Sequence, residues 1–253
     1  PKFYVAENPL LLAEYRQAFM SSFLIVDAGY TPGYKKKNNK KTDGGRSHFF
    51  SNFNKIFLNE QDRKSSLEIN VEKVSNDTYL KVHNIDTSLA DKNETVLENK
   101  LDFVYQDKDF FFGLAPSFFE DTTKHSNKRY EYLLPLTIEK NIMANAKYGF
   151  LDLGSNLKLR NYETNKQSNI FVNDFNWKSN NFLNSLGLES YFEGLIKTVN
   201  YDTKKTTEYK NEKLNSEAHA ALGYFAKLGL YKEDIMNINF YSLTPKILLR
   251  HSP

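Results

Sequence analysis

The stretch LDLGSNLKLR, residues 151–160, alternates with a strict two-residue period. Four leucines and a serine occupy its odd-numbered positions, whereas Asp, Gly, Asn, Lys and Arg occupy the even-numbered ones. Successive side chains of a β-strand point to opposite faces, so this order places all four leucines on one face. On a helix the leucines would scatter around the axis, and Gly154 would weaken its middle. The pattern therefore predicts a β-strand with one apolar and one polar face.

The same alternation recurs in residues 11–19, 67–72 and 97–105. Runs such as 148–161 and 188–201 are longer than the usual strand of about five or six residues. Residues 217–230 also fit the apolar stripe of a helix, although the two glycines at positions 223 and 229 and a clean alternation favour a strand.

Turn-rich stretches, alternately short and long, separate these segments without any break in composition. We therefore expect one domain over residues 1–253, all-β and antiparallel, forming a curved open sheet of about a dozen long strands. Since the sequence starts with Pro1 and stops in a strand-like run, we expect an internal fragment truncated at both ends. Pro116, Pro135 and Pro245 fall within strand-like runs, where we expect bulges or strand ends.

Composition excludes several classes of function. The chain has 34 basic and 31 acidic residues, a net charge of +3, which is too even for a nucleic-acid partner. Cysteine is absent, so there is no disulfide, thiolate metal site or cysteine nucleophile. The five histidines lack metal-binding spacing, and no phosphate loop, nucleophile elbow or dinucleotide fingerprint is present. We expect no enzyme activity, no metal and no cofactor.

Aromatic residues are abundant, with 20 Phe and 16 Tyr, in a polar chain without a long apolar run. A soluble β-sandwich and a membrane β-barrel both give this composition and the same alternation. Aromatic residues near strand ends and the length of the strands favour a transmembrane β-barrel, whose apolar rows face lipid and whose polar rows line a wet lumen. The candidate lumen-facing residues are Glu14, Arg16, Glu68, Asn70, Glu98, Lys100, Asp102, Lys158 and Arg160.

Two segments carry a family resemblance. VSNDTYLKVHNI, residues 74–85, directly follows the strand-like SSLEINVEK, and KFYVAENPLLLAEYRQAF occupies residues 2–19. In this order they resemble the barrel of the lipopolysaccharide-assembly (LptD) family, also called organic solvent tolerance proteins. The specific part lies in residues 2–19 and 66–85. Asn76 stands where an acidic residue is common in that family, and Lys81-Val82-His83 replaces its usual Arg-Asp pair.

The resemblance implies a function that the residues alone do not. Members of the family lie in the cell outer membrane of Gram-negative bacteria, contact its lipids and insert lipopolysaccharide into the outer leaflet. Their partners are lipopolysaccharide, an LptE-like plug lipoprotein and a periplasmic lipopolysaccharide bridge. The lateral gate and the periplasmic domain would lie outside this chain. Two alternatives remain open, a generic outer-membrane porin or transporter barrel and a soluble all-β binding or adhesion module.

The 74–85 stretch suggests a structural hypothesis of its own. The side chains of Ser75 and Asp77 can accept hydrogen bonds from nearby backbone amides, closing a turn after Val74. Tyr79 then offers a ring to pack against a neighbouring wall and a hydroxyl for a polar partner. We therefore predict a structural turn built on Ser75, Asp77 and Tyr79.

Overall fold

A computed structural model describes residues 9–33, 43–125, 128–163, 165–206, 215–228, 230–234 and 239–251. Fourteen strands form one antiparallel sheet in the order β1-β2-β3-β4-β5-β6-β8-β9-β10-β12-β13-β16, in which β7 pairs with β5 and β8, and β11 pairs with β12. The remaining strands, β14 and β15, form a separate hairpin. Since β1 and β16 lie at opposite ends of this order, the sheet is open, and the predicted all-β antiparallel class is confirmed.

The elements follow one another as a meander. Their bounds are β1 Leu11–Ala18, β2 Ser22–Gly33, β3 Asp43–Asn59, β4 Lys64–Val74, α1 Tyr79–Val82, β5 Val96–Asp107, β6 Phe110–Leu114, β7 Ser117–Asp121, β8 Tyr130–Asn145, β9 Gly149–Tyr162, β10 Lys166–Lys178, β11 Phe182–Leu183, β12 Leu188–Lys204, β13 Asn215–Leu228, β14 Leu230–Asp234, β15 Asn239–Leu243 and β16 Lys246–His251. The predicted long strands at 148–161 and 188–201 correspond to β9 and β12. Residues 217–228 lie in strand β13, and residue 229 lies outside the described residues.

In the cross-strand register, the alternation of residues 151–160 continues on the neighbouring strands β8 and β10. Leu157 lies opposite Leu136 on β8 and Phe171 on β10, whereas its neighbour Asn156 lies opposite Thr137 and Val172. The row through Leu157 is therefore apolar on all three strands, whereas the row through Asn156 combines Asn and Thr with one Val, so the sheet has an apolar and a mainly polar face.

The connections at the two ends of the strands differ in length. Four at one end, namely 19–21, 60–63, 108–109 and 146–148, have two to four residues. At the other end lie longer connections, including 75–95, 122–129 and 205–214, together with the short turn 163–165. The predicted alternation of short and long connections is thus present in part. The turn 163–165 is short at the end with long connections, whereas 179–187, which contains β11, and 229–245, which contains β14 and β15, are long at the end with short turns.

Two of the three prolines in strand-like runs lie at strand ends, and the third lies inside a strand. Pro116 lies in the break between β6 and β7, and Pro245 immediately precedes β16, as expected of strand ends. Pro135, in contrast, lies inside β8, opposite Lys158. Its carbonyl accepts the amide of Ala115, so the side of Pro135 that has no N–H faces the break beside Pro116. The missing donor therefore falls where the ladder is already interrupted.

Burial is concentrated beneath one connection. Ten hydrophobic residues are buried in the described part of the chain, whereas 24 large hydrophobic residues are exposed. Eight of the ten form one cluster where residues 75–95 lie against the sheet. The four leucines of β9 are half-buried rather than enclosed between two layers, and no second sheet covers the apolar face within the described residues. No helix among these residues is long and apolar enough to span a membrane.

Candidate functional site

Residues 75–95, here called the plug segment, connect β4 to β5 and fold back over the polar face of the sheet. The segment begins with a turn in which the Asn76 side chain accepts the backbone amide of Thr78 at 3.2 Å and the Thr78 hydroxyl at 3.0 Å. A single four-residue helix, α1, follows. The turn-closing residue is thus Asn76, a residue type that often closes such turns.

This corrects the predicted roles of Ser75 and Asp77. The Ser75 hydroxyl does accept an amide proton, but from Ser47 on β3 at 2.7 Å, so it joins the segment to the sheet. The Asp77 carboxylate accepts from Arg129 instead of a nearby amide. The prediction for Tyr79 is confirmed, because its ring is fully buried against the sheet and its hydroxyl has a polar partner.

Apolar contacts hold the plug segment to the sheet. From the segment come Tyr79, Leu80, Ile85 and Ala90, and from the sheet side come Leu10, Phe50, Val74 and Leu97. Phe50 pairs with Asp27 on β2 and with Glu72 on β4, so it belongs to the polar face. Burying a side chain such as Leu or Phe contributes about 1.5–3 kcal/mol, which makes this cluster the main apolar core of the described residues.

A chain of buried polar groups crosses the same interface. His48 Nε2 lies 2.8 Å from Asp27 Oδ1, and His48 Nδ1 lies 3.4 Å from the Tyr79 hydroxyl. In the neutral imidazole, Nε2–H donates to the carboxylate and Nδ1 accepts from Tyr79. The burial of Tyr79, with a smaller effect of Asp27, raises the pKa of its hydroxyl to about 12, which keeps it protonated as a donor. The second oxygen of Asp27, Oδ2, is buried without a hydrogen-bond partner.

Gly29 makes room for this arrangement. It lies opposite His48 in the β2–β3 register. A Cβ atom at position 29 would lie 2.7 Å from His48 Nδ1 and would also collide with Leu12. The imidazole therefore packs directly over the backbone of β2, where only glycine leaves enough space.

An ion pair fastens the start of the plug segment to a different part of the sheet. Arg129, just before β8, places Nη2 2.6 Å from Asp77 Oδ1 and 2.6 Å from Glu120 Oε1. Its Nε also donates to Glu120 at 2.8 Å. These two carboxylates, Asp77 foremost, hold the pKa of Arg129 above its usual value. Farther along the segment, the Ser88 hydroxyl donates to Glu14 on β1 at 3.0 Å.

The backbone hydrogen bonding between β4 and β5 is interrupted where the plug segment joins the sheet. Backbone pairing of β4 with β5 ends at Asn70 and Lys100, although β4 continues to Val74. Four hydrogen bonds involving the side chains of Asn70, Glu72 and Asn99 replace the ladder beyond that point, with lengths between 2.7 and 3.1 Å. We call this stretch the β4–β5 seam.

Acidic groups gather beside this seam. Burial of Glu94, together with the nearby carboxylates of Glu72 and Asp91, raises its pKa to about 6. The negative charge on Glu94 is therefore unfavourable when the plug segment is in place.

The predicted lumen-facing residues fall into three places. Glu14 pairs with Arg16 at the edge strand. Glu68, Asn70, Lys100 and Asp102 form a cross-strand group of β4 and β5, with Lys100 Nζ 2.9 Å from Asp102, and Glu98 lies in the seam.

Lys158 and Arg160 lie apart from these two groups, on β9, where Arg160 donates to Glu131 at 2.7 Å. The nine predicted residues do not converge on one site.

The sequence reasoning missed the residues that hold the plug segment. Asp27, His48, Glu120 and Arg129 were not singled out, because none of them belongs to a motif with a recognisable spacing. One signal was available, since Asp27 follows Ile25 on the same face of an otherwise apolar strand. In the described residues, no group of three or more His, Cys, Asp or Glu side chains could hold a metal ion.

The apolar face carries a cavity of its own, about 620 Å³ in volume. It extends along β4, β5 and β7–β10 next to the break at Pro116. Its apolar lining includes Ile69, Val71, Leu101, Phe118, Leu134 and Leu159.

Models of known protein families match no part of the chain, and a search of curated proteins finds no relative. The resemblance of residues 2–19 and 66–85 to the LptD family therefore stays a prediction. Residues 2–8 of the first segment also lie outside the described residues.

Proposed function

We propose that this chain forms part of the wall of a transmembrane β-barrel in the outer membrane of a Gram-negative cell. The observation that carries the proposal is the uncovered apolar face. In the described residues 24 large hydrophobic side chains are exposed, more than twice the number of buried ones, and those on the apolar face include Tyr15, Phe49, Phe171, Phe175, Ile196 and Leu222. A water-soluble protein rarely exposes a continuous apolar surface of this kind, whereas a barrel wall places it against hydrocarbon.

The dimensions of the strands support the same function. Strands β3, β8, β9, β10, β12 and β13 have between 13 and 17 residues, and a tilted strand needs about 9–11 residues to cross the hydrocarbon core. Short turns at one end and longer connections at the other are typical of outer-membrane barrels, in which the short turns face the periplasm. The plug segment would then enter from the outer end.

We further propose that the barrel inserts lipopolysaccharide into the outer leaflet. This finer proposal depends on the LptD resemblance, and one of its two specific segments, 66–85, covers most of β4 and the start of the plug segment. The polar face would accommodate the sugar-phosphate headgroup while the acyl chains leave sideways. An LptE-like lipoprotein and a periplasmic bridge would be the partners. A generic porin or transporter is the second candidate, because the buried plug segment resembles a pore-constricting loop.

Paired single-cysteine variants test the membrane assignment, because the chain has no cysteine of its own. Leu157→Cys lies on the apolar face of β9, and its neighbour Asn156→Cys on the polar face is the matched control. Each variant is spin-labelled and reconstituted into liposomes. We expect oxygen, which is enriched in hydrocarbon, to relax the label at 157 more strongly, and a water-soluble nickel complex to relax the label at 156. Equal access of the nickel complex to both positions would contradict a membrane wall.

Photo-cross-linking in cells tests the finer proposal. A photoreactive amino acid at Lys158, on the polar face, is expected to capture lipopolysaccharide. The same group at Phe171, on the apolar face, is expected to capture mainly phospholipid or lipid acyl chains. Phospholipid adducts at 171 without any lipopolysaccharide adduct at 158 would exclude the insertion function and favour the porin alternative.

A further inference from the structure

We propose that the plug segment is a displaceable cover that inhibits access to the polar face of β1–β4. It leaves the sheet as a unit when two polar latches open, namely the Tyr79–His48–Asp27 chain and the Asp77–Arg129 ion pair. Only one part of this proposal rests on the proposed barrel function, namely which molecules reach the polar face when the plug segment is displaced. These would be water and polar solutes. Displacement itself depends on the contacts between the segment and the sheet.

The way in which the segment is attached favours local opening. Among the described residues, only two backbone hydrogen bonds join the segment to the rest of the chain, one from the Ser75 amide to Ser47 and one from the Thr122 amide to Thr95, and its helix has four residues. Both ends of the segment join the β4–β5 seam, where side chains replace the backbone ladder. Segments with few backbone bonds to their surroundings open at a lower free energy than the paired strands beneath them.

The closed position also carries two electrostatic costs. Asp27 Oδ2 is buried without a partner, although His48 satisfies the other oxygen. Beside the seam, burial and the carboxylates of Glu72 and Asp91 disfavour the negative charge of Glu94. Opening would hydrate all four carboxylates, so both costs disappear in the open state. These groups therefore lower the free energy that separates the closed state from the open one.

The latches lie on opposite sides of the segment. Tyr79 is bound through His48 to β2 and β3, whereas Asp77 is bound to Arg129 beside β8. The Asp77 carboxylate is 37% exposed, so water can compete for this ion pair without the core being disrupted. The Asp77–Arg129 pair is therefore the latch that should open first.

Cysteine reactivity measures the opening directly. Ala90→Cys places a thiol in the plug core, at a position that is 2% exposed, and Ser168→Cys places one in β10, at a position that is 4% exposed. The refolded protein is treated in detergent micelles with a water-soluble maleimide. If the segment opens locally, the thiol at 90 is expected to react at least about tenfold faster than the thiol at 168. Equal rates would mean that the segment opens only when the whole sheet unfolds, which would overturn the proposal.

Latch variants test the assigned contacts in the Ala90→Cys background. Asp77→Ala removes the ion pair to Arg129. Asp86→Ala is the matched control, because among the described residues Asp86 pairs only with Lys92 inside the segment, at 4.0 Å. We expect Asp77→Ala to accelerate labelling of the thiol at 90 by about tenfold, with the thiol at 168 unaffected, as for loss of a charge-assisted bond. Asp86→Ala should leave both rates unchanged.

Equal acceleration by Asp77→Ala and Asp86→Ala, or by neither, would overturn the latch assignment. Because these rates are measured in micelles, they are independent of the spin-label test of membrane topology.

Discussion

Two regions of the same sheet use one sequence pattern in opposite ways. In β2 and β3, under the plug segment, the polar-face pair Asp27–His48 is buried, with side chains 2% and 0% exposed. In β10 and β12 the polar-face pair Asp174–Lys197 remains 24% and 42% exposed, with 3.4 Å between its charged atoms. Each aspartate is followed by an apolar residue, Ala28 or Phe175, that lies on the other face of the sheet. The difference lies in the plug segment, which covers the first pair and does not reach the second.

Burial of polar groups in this protein is decided by a connection and not by the strands. A covered polar group must find partners within the protein, because its exchange with water is lost. An uncovered group keeps water as a partner, so its ion pair contributes little. Substitutions of matched residues in the two regions should therefore have very different effects.

The largest difference is expected between Asp27→Ala and Asp174→Ala. Asp27→Ala leaves the buried His48 Nε2 without its acceptor and should lower the free energy of unfolding by about 3 kcal/mol. Asp174→Ala should lower it by less than about 1 kcal/mol. Denaturant unfolding of the refolded protein in detergent micelles measures both changes. Similar losses for the two variants would mean that the plug segment does not seal the first region.

A smaller difference is expected between two mid-strand glycines of the polar face. Gly29→Ala forces a Cβ atom against His48 Nδ1, at 2.7 Å, and should destabilise the fold by about 2 kcal/mol. Gly154→Ala meets only the Asp174 Cβ, at 3.9 Å, and should be neutral or stabilising by up to about 1 kcal/mol. Amide hydrogen exchange locates the effect, since faster exchange in Gly29→Ala should be confined to residues 75–95 and their contacts. A destabilisation by Gly154→Ala would contradict an open second region.

The smallest effect is expected at Glu94. Since the pKa of this carboxyl is raised from 4.5 to about 6, the folded protein binds the proton more tightly than the unfolded chain, and its stability falls as the pH rises through this range. Glu94→Gln removes the penalty and should stabilise the fold by about 1 kcal/mol at pH 8, after allowance for solvent screening. Below pH 4.5 the gain from removing this penalty should vanish. Unfolding of Glu94→Gln and of the unchanged protein, measured at pH 4 and at pH 8, tests this prediction. A gain in stability of equal size at both pH values would rule out this electrostatic cause.

The candidate site could be predicted only in part. Tyr79 was recognised as a packing residue because a tyrosine just after a turn offers both a ring and a hydroxyl. The roles of Ser75 and Asp77 were predicted wrongly, since their partners, Ser47 and Arg129, lie 28 and 52 residues away in the chain. Local turn rules consider only neighbouring residues, so they cannot find such bonds. Asp27 and His48 were missed for the same reason, because their contact exists only when β2 and β3 are in register.

A two-residue period and turn residues act over a few neighbouring positions, so the strands, their two faces and most of the short and long connections can be read from local sequence. Three features arise only in the folded protein, namely the position of residues 75–95 over the polar face, the separation of β4 and β5 beyond Asn70, and the burial of particular carboxylates. These features depend on contacts between residues far apart in the chain. These contacts are stabilised by burial and by charge interactions in the assembled sheet, which a local sequence pattern does not contain.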